Sequence, residues 1–444
     1  MASERMSGPD AAWLYMDRPE NLMVVNTVLS FDTTPDWVAV EEALQGRLVE
    51  RHSRFRQRVT KPPITLGLLA PTWDSAVTRA RDHIVRAALP SPGDARALHR
   101  YVAEQARLPL DARRPLWVVH AIDGYGAGAA LLLRTHHAIG DGRALVEVIA
   151  GLTEPLEARA TAADQRPPRL RTVGERAGGV VADVQAFAKL TDRVIRWPAG
   201  GRSRLTGKKT MAWLAPISIG RLKEAGRPTG STVNDVVLAA VAAALRSLVR
   251  PGEPYSDLDV VVPIDLRPPG SAASAGLGNR FGLGFVRLPV TSDDPVERLK
   301  KVTLRMRRIK ESREGAIVFG GMGVMGRMPV LAQRAWMDAF IGDAVAVVTN
   351  VRGPGEPVTL AGSRVAGMSF WVPSSGPLGI GVSAVSYAGD VVVGLVVDEG
   401  VVPDGAGLAR AIEAELGRFV GATGYPPQGA IAGATGARTS ASTT

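Results

Sequence analysis

All six histidines of this 444-residue chain lie in its first third: His52, His83, His99, His120, His136 and His137. Two are adjacent, in Thr135-His136-His137-Ala138-Ile139-Gly140-Asp141-Gly142. An imidazole titrates near neutrality, so it can accept a proton and return it within one turnover. The pair follows an apolar run, Ala129 to Leu133, and precedes Leu145, Val148, Ile149 and Leu152 at helical spacing. Loops at strand ends, held by a rigid scaffold, are where catalytic groups concentrate. Successive strand side chains point to opposite faces, so the two imidazoles should not share one task. One can face a channel while the other packs inward. Gly140 and Gly142 bracket Asp141 and permit a tight turn that directs its carboxylate inward.

Three readings of this stretch compete: two satisfied structural histidines, a metal site, and a general base. Two imidazoles and a carboxylate are metal-ligand types, but adjacent positions diverge and HExxH spacing is absent, so no metal is expected. The residues alone leave the structural and catalytic readings open.

The elements that must position the pair alternate between strand and helix. Leu22 to Phe31 reads as a strand, and Pro35 to Val59 carries Trp37, Val40, Leu44 and Leu48 at helical spacing. A helix is predicted from Ala95 to Leu108. Trp117 to Ile122 and Ala129 to Leu133, joined by Asp123 to Gly126, read as a hairpin buried on both faces. Polar stretches flank a predicted helix from Val180 to Trp197, which marks residues 154–208 as a crossover between halves 1–153 and 209–424. The second half carries a strong helix, Thr232 to Val249, a basic helix, Pro295 to Ser312, several strands and a closing helix from Ala406. The tail 425–444 is small and polar and is read as disordered.

Composition narrows the function. The length exceeds what one hydrophobic core usually serves, so two core-bearing units are expected. With 45% hydrophobic and 22% charged residues, a disordered chain is excluded. The absence of cysteine excludes a disulfide scaffold, a thiolate zinc site and a cysteine nucleophile, and it fits a reducing, cytoplasmic setting. The first residues carry no signal-peptide pattern, and no run of 18 apolar residues is present. Only eight of the 53 basic residues behind the net charge of +10 are lysines. Without a dense basic run interleaved with aromatics, nucleic acid is not an expected partner. An anionic small ligand or anionic membrane surface fits the charge better.

His136-His137-Ala138-Ile139-Gly140-Asp141-Gly142 resembles the HHxxxDG motif of the coenzyme A-dependent acyltransferase superfamily. More narrowly, the chain resembles the bacterial wax ester synthase/acyl-CoA:diacylglycerol acyltransferase family. Leu110-Asp111 through Arg114-Pro115-Leu116-Trp117 is similar to its PLW region, and Val233-Asn234-Asp235-Val236 to its ND motif. Thr349-Asn350-Val351-Arg352-Gly353-Pro354 is similar to its Ser-Asn-Val-Pro-Gly-Pro motif, and Met6 to Ala12 to its opening. Gly278-Asn279 and Pro403-Asp404 recur near their expected places. The likeness runs in order from about residue 6 to 421. Arg352, Arg143 and Val118 depart from the pattern, at positions that bear on the acceptor.

The resemblance implies an α/β fold of two chloramphenicol-acetyltransferase-like halves, mixed sheets with flanking helices, and an active-site tunnel between them. It implies transfer of a long-chain acyl group from acyl-CoA, a co-substrate with no resident cofactor, to a fatty alcohol or diacylglycerol. His137 would be the general base, His136 a support for the strand end, and Asp141 an orienting group paired with Arg267. Asn279 and Asn350 are candidate oxyanion donors, and Trp117, Gly142, Asn234 and Asp235 are substrate-binding candidates. Trp117 is read mainly as core, and Asp235 mainly as support for a helix start. The resemblance admits the inner membrane face or lipid inclusions as a peripheral partner and leaves oligomeric state open. Alternatives are a carrier-protein donor or specialised alcohol, and a silent lipid-surface binding protein.

Gly321-Met322-Gly323-Val324-Met325-Gly326 matches GxGxxG, but only four apolar residues precede it and Asp343 precedes the next strand, contrary to a dinucleotide site. Gly315 to Phe340, with Met322, Met325, Met328, Trp336 and Met337, is read as ordinary core or as a mobile apolar surface for lipid or an acyl chain.

Overall fold

Every residue from Gly128 to His136 is buried, which requires a strand inside a sheet with both faces covered. The structure, a computed structural model, describes residues 3–62, 70–156, 205–248, 256–268, 277–342, 344–374 and 376–421. The predicted crossover helix from Val180 to Trp197, Asp343 and the tail 425–444 lie outside the described residues.

The first half runs β1 (Ser3–Arg5), α1 (Gly8–Tyr15), β2 (Val24–Phe31), α2 (Trp37–Ala43), β3 (Gln57–Thr60), β4 (Thr72–Ser75), β5 (Ile84–Ala88), α3 (Ala95–Ala106), β6 (Trp117–Tyr125), β7 (Gly128–His136), α4 (Gly142–Leu152) and β8 (Glu154–Pro155). The second runs β9 (Lys209–Trp213), β10 (Ile217–Ser218), α5 (Ile219–Gly226), α6 (Val233–Leu245), β11 (Leu258–Asp265), β12 (Phe281–Leu288), α7 (Pro295–Glu311), α8 (Glu314–Met325), α9 (Val330–Ile341), β13 (Ala346–Arg352), β14 (Val358–Leu360), β15 (Ser363–Trp371), β16 (Ile380–Tyr387), β17 (Asp390–Asp398) and α10 (Gly405–Phe419).

The apolar runs on either side of Asp123–Gly126 pair antiparallel as β6 and β7, with Trp117 opposite Thr135. The helical stripe that starts at Trp37 ends at Val49 in a π-helical turn, short of Val59. Gln57–Thr60 instead pairs with β4, a long-range ladder that periodicity cannot foresee.

Two seven-stranded mixed sheets carry the fold, in the orders β5-β6-β7-β2-β15-β14-β8 and β10-β17-β16-β13-β11-β12, with β9 on β17. The first sheet takes β14 and β15 from beyond residue 209, so a division there separates the chain order but not the sheets. β15 lies on β2, with Trp371 opposite Asn26.

The expectation of two cores is modified in the same way. The largest apolar cluster joins both halves: Leu29, Trp117 and Leu145 share it with Val261, Phe281, Val347 and Val385. A second cluster lies on the other face of the second sheet, where α6 and α10 pack on Val260, Val262, Ala346 and Val348. Strand alternation divides β11 between them, Val261 facing the shared core and its two neighbours the other.

Gly315 to Phe340 forms two helices. The GxGxxG glycines fall within and at the end of α8, so they make no phosphate loop. Met322, Met325 and Met337 are core residues of the shared cluster. The α8 backbone presses on α1 and β12 where a Cβ on Gly8 would strike the Gly323 carbonyl, and one on Gly282 the Gly315 carbonyl. Those glycines allow α8 to clamp α1 over the shared core.

Candidate active site

β7 ends at His136, and the chain turns sharply into α4. His136 N–H donates to the Leu116 carbonyl (2.9 Å), His137 N–H to the Met23 carbonyl (2.7 Å), and Ile139 N–H to the His136 carbonyl (3.0 Å). These bonds fasten the turn to both neighbouring strands' ends. Asp141 is the N-cap of α4, its Oδ1 accepting from Ala144 N–H at 2.9 Å. An acid there satisfies an otherwise orphaned helix amide. At Gly142, a Cβ would meet Val351 Cγ2 at 3.1 Å and Phe370 Cζ at 3.3 Å, so its role here is close packing of α4 on β13 and β15.

The two imidazoles occupy different environments. His136 Nδ1 accepts from Ala138 N–H (3.0 Å), which leaves the proton on Nε2, 3.0 Å from Asp17 Oδ2. Asp17 Oδ1 accepts from Met23 N–H at 2.6 Å. Burial raises the Asp17 carboxyl, but the His136 and Met23 bonds outweigh it and hold it below its ordinary value. His136 is thereby committed to the strand end.

His137 lies in an aromatic pocket. Its ring stacks on Trp13 with centroids 4.2 Å apart and planes 18° apart, while Phe281 lies 5.7 Å away at 48°. Burial pushes its pKa down to about 4, against smaller opposing effects from Asp141, its own carbonyl and Asn279. Nδ1 is sealed from solvent without a hydrogen-bond partner among the described residues. At neutral pH the ring is therefore an unprotonated imidazole.

Asp141 Oδ2 accepts from Arg267 Nη2 at 2.6 Å and from Arg280 N–H at 3.0 Å. Arg267 Nη1 and its amide N–H each lie 3.1 Å from Asp265 Oδ1. Arg143 pairs with Asp265 Oδ2 and, at 3.1 Å, with Glu147. A chain of alternating charge thus ties α4 to the end of β11, and its arginines turn toward carboxylates. The Arg143 departure adds an arm to this clamp.

Asn279 reaches the histidine but as a brace. Its Nδ2 donates to Asp10 Oδ1 (2.8 Å) and to the His137 carbonyl (2.9 Å), and its backbone N–H donates to the same Asp10 oxygen (3.0 Å). All its donors are committed, so it has none for an oxyanion. Asp10 also accepts from Ser7 Oγ at 2.7 Å, and burial raises its pKa.

The remaining candidates lie elsewhere. Asn350 is exposed on β13, on the opposite face from Val351, which packs against Gly142. Asn234 and Asp235 start α6, on the far side of the second sheet from His137. Asp235 closes a capping box: Thr232 N–H donates to its Oδ2 at 2.8 Å, and its own N–H to Thr232 Oγ1 at 3.3 Å. Trp117 is locked in the core, stacked on His83 at 4.3 Å, with its Nε1 donating to the Phe55 carbonyl at 2.9 Å. Among the described residues no cluster of three or more His, Asp or Glu is placed to hold a metal.

Trp13, Asp17 and Phe281 are the residues that sequence reasoning passed over. The one sequence signal near Trp13 was the likeness of Met6 to Ala12 to the family's opening, which stops just short of it.

Residues 6–212 match the wax ester synthase/diacylglycerol acyltransferase catalytic domain, and residues 277–419 the WS/DGAT C-terminal domain. A probable diacylglycerol O-acyltransferase of Mycobacterium tuberculosis strain H37Rv is 29% identical over 436 residues, covering 91% of this chain and 92% of that protein. The wax ester synthase/diacylglycerol acyltransferase from Marinobacter aquaeolei VT8 superposes with a TM-score of 0.65 at 22% identity, covering 94% of this chain and all of that one. The first condensation domain of the calcium-dependent antibiotic synthetase has the same architecture, with a TM-score of 0.63 at 18% identity over 94% of this chain and 95% of that one. With both of its halves matched and the HHxxxDG turn set against their shared core, this chain belongs to the wax ester synthase/diacylglycerol acyltransferase family.

Proposed function

We propose that the chain moves a long-chain acyl group from acyl-CoA to a fatty alcohol or diacylglycerol, forming wax ester or triacylglycerol, with His137 as the general base. The observation that carries this reading is the neutral imidazole of His137, walled by aromatics and with its second nitrogen sealed. His137 Nε2 takes the hydroxyl proton as the alcohol oxygen bonds to the thioester carbonyl carbon. The tetrahedral intermediate then collapses, the carbon–sulfur bond breaks, and the same nitrogen returns the proton to the CoA sulfur. The reaction needs no covalent acyl-enzyme and no resident cofactor. Asp141, clamped by Arg267, fixes the loop and the start of α4.

Replacing His137 with Ala is expected to lower kcat by roughly 10²–10⁴, read as release of CoA thiol. The chain's lack of cysteine leaves that assay without protein background. Turnover at the wild-type rate would overturn the assignment.

The substrates also bear on where the enzyme works. Among the described residues no single helix is long and apolar enough to cross a membrane. The α8–α9 pair, however, exposes Val324 (63%) and Leu331 (81%) on either side of Arg327. This surface supports peripheral contact with the lipid phase that holds the alcohol, at the cytoplasmic membrane face or on lipid inclusions. Flotation with anionic phospholipid vesicles tests it: Val324→Asp with Leu331→Asp should abolish co-flotation, and unchanged flotation would exclude this surface.

A further inference from the structure

A general base must present its lone pair in a fixed direction, and a histidine is usually oriented by a hydrogen bond at its other ring nitrogen. At His137 that device is weak, its own carbonyl and Asn279 acting on the ring only as minor influences. Its Nδ1 has no partner among the described residues. The nearby carboxylate, Asp141, spends its oxygens on Ala144 N–H, Arg280 N–H and Arg267. The well-formed hydrogen bonds of His137 are made by its backbone, to the Met23 carbonyl and from Asn279 Nδ2, and they do not by themselves fix the last torsion of the ring.

An aromatic face supplies the missing constraint. We propose that Trp13 is a positioning residue for acyl transfer, its indole fixing the plane of the His137 ring and shielding that ring from water. The proposal rests on the reading of His137 as the base. At a centroid separation of 4.2 Å and an angle of 18°, any large ring rotation would drive the imidazole edge into the indole. Phe281 limits movement on a second side and lies 5.6 Å from Trp13, so the three rings form one closed contact.

Trp13 is itself anchored by the frame around α1. Ser7 caps that helix, and Asp10 ties it to Asn279, which in turn holds the His137 carbonyl. The backbone of α8 presses on Gly8. The base and the ring that orients it are therefore bound to the same small group of residues. The same contact explains why the imidazole is so thoroughly desolvated.

The test compares Trp13→Phe, Trp13→Leu and His137→Ala in the full-length protein, with palmitoyl-CoA and hexadecanol as substrates. Phe keeps the aromatic face and should preserve kcat within a small factor. Leu removes it and should lower kcat by roughly 10–100-fold, the scale of an ångström-sized misplacement, with KM for acyl-CoA little changed. The acidic limb of kcat/KM against pH should also move up in the Leu variant, toward the ordinary imidazole range. A merely structural role for Trp13 would not move that limb. If circular dichroism shows the Leu variant unfolded, Trp13→Met fills the space without an aromatic face and takes its place.

Unchanged kcat and an unchanged limb in the Leu or Met variant would overturn the proposal. So would a Phe variant as impaired as Leu, since that would assign the effect to the indole N–H, which is buried without an acceptor among the described residues. An active His137→Ala enzyme would instead defeat the assignment of the base, whatever the Trp13 variants do.

Discussion

Arg267 Nη2 stands 2.6 Å from Asp141 Oδ2, and the two side chains, 10% and 6% exposed, join the start of α4 to the end of β11. One residue belongs to the histidine loop and the other to the second half. The ion pair therefore fixes the turn that carries His137 against the opposing half. Removing one member of such a pair leaves a buried charge uncompensated.

Arg267→Ala is expected to cost about 3–5 kcal/mol of stability and to lower kcat well below that of the wild type, because the loop loses its anchor. Urea denaturation and steady-state kinetics at a temperature where the variant remains folded check both. Arg267→Lys keeps the charge without the fork that spans Asp141 and Asp265, so it should fall between the two.

Asp235 and Asn279 should respond oppositely, although both stood as binding candidates. Asp235→Ala opens a capping box on α6, so a loss of about 0.5–2 kcal/mol is expected, with kcat and KM unchanged in the folded enzyme. Asn279→Ala releases Asp10 and the His137 carbonyl, so kcat should fall along with stability. A kinetic defect in the folded Asp235 variant would restore the case for a direct role at the site.

Acid should destabilise the protein in a defined window. Burial lowers His99, His120 and His137 to about 4 each, while an unfolded chain would titrate them near 6.5. Between those values the unfolded state binds more protons than the folded one, so stability falls as pH drops from about 6.5 toward 4. Each group contributes up to about 1.4 kcal/mol per pH unit in that interval. Denaturation midpoints measured from pH 7.5 to 5 should show the slope, and His120→Phe should reduce it. Activity limited by the His137 base should stay level through pH 6, where the unperturbed imidazole would already be largely protonated.

The sequence by itself determined what local physics controls. Strand alternation separated the tasks of His136 and His137. Apolar runs around a glycine turn dictated a hairpin buried on both faces, and Leu145, Val148, Ile149 and Leu152 at helical spacing dictated the helix that follows it. Each follows from hydrogen bonding and side-chain direction within a few residues. The order of motifs also made the family legible.

Only the tertiary structure decided which side chains meet. The acid that starts α6 and the acid that starts α4 look alike in sequence, yet the second sheet stands between Asp235 and the histidine. Asn279 and Asn350 were indistinguishable as donors until packing committed one to Asp10 and turned the other outward. Trp13 carried no local mark of its role, because its contact with His137 arises when α8 clamps α1 over a core shared by both halves. Such contacts come from burial of apolar surface between distant segments, a force that is not directional along the chain.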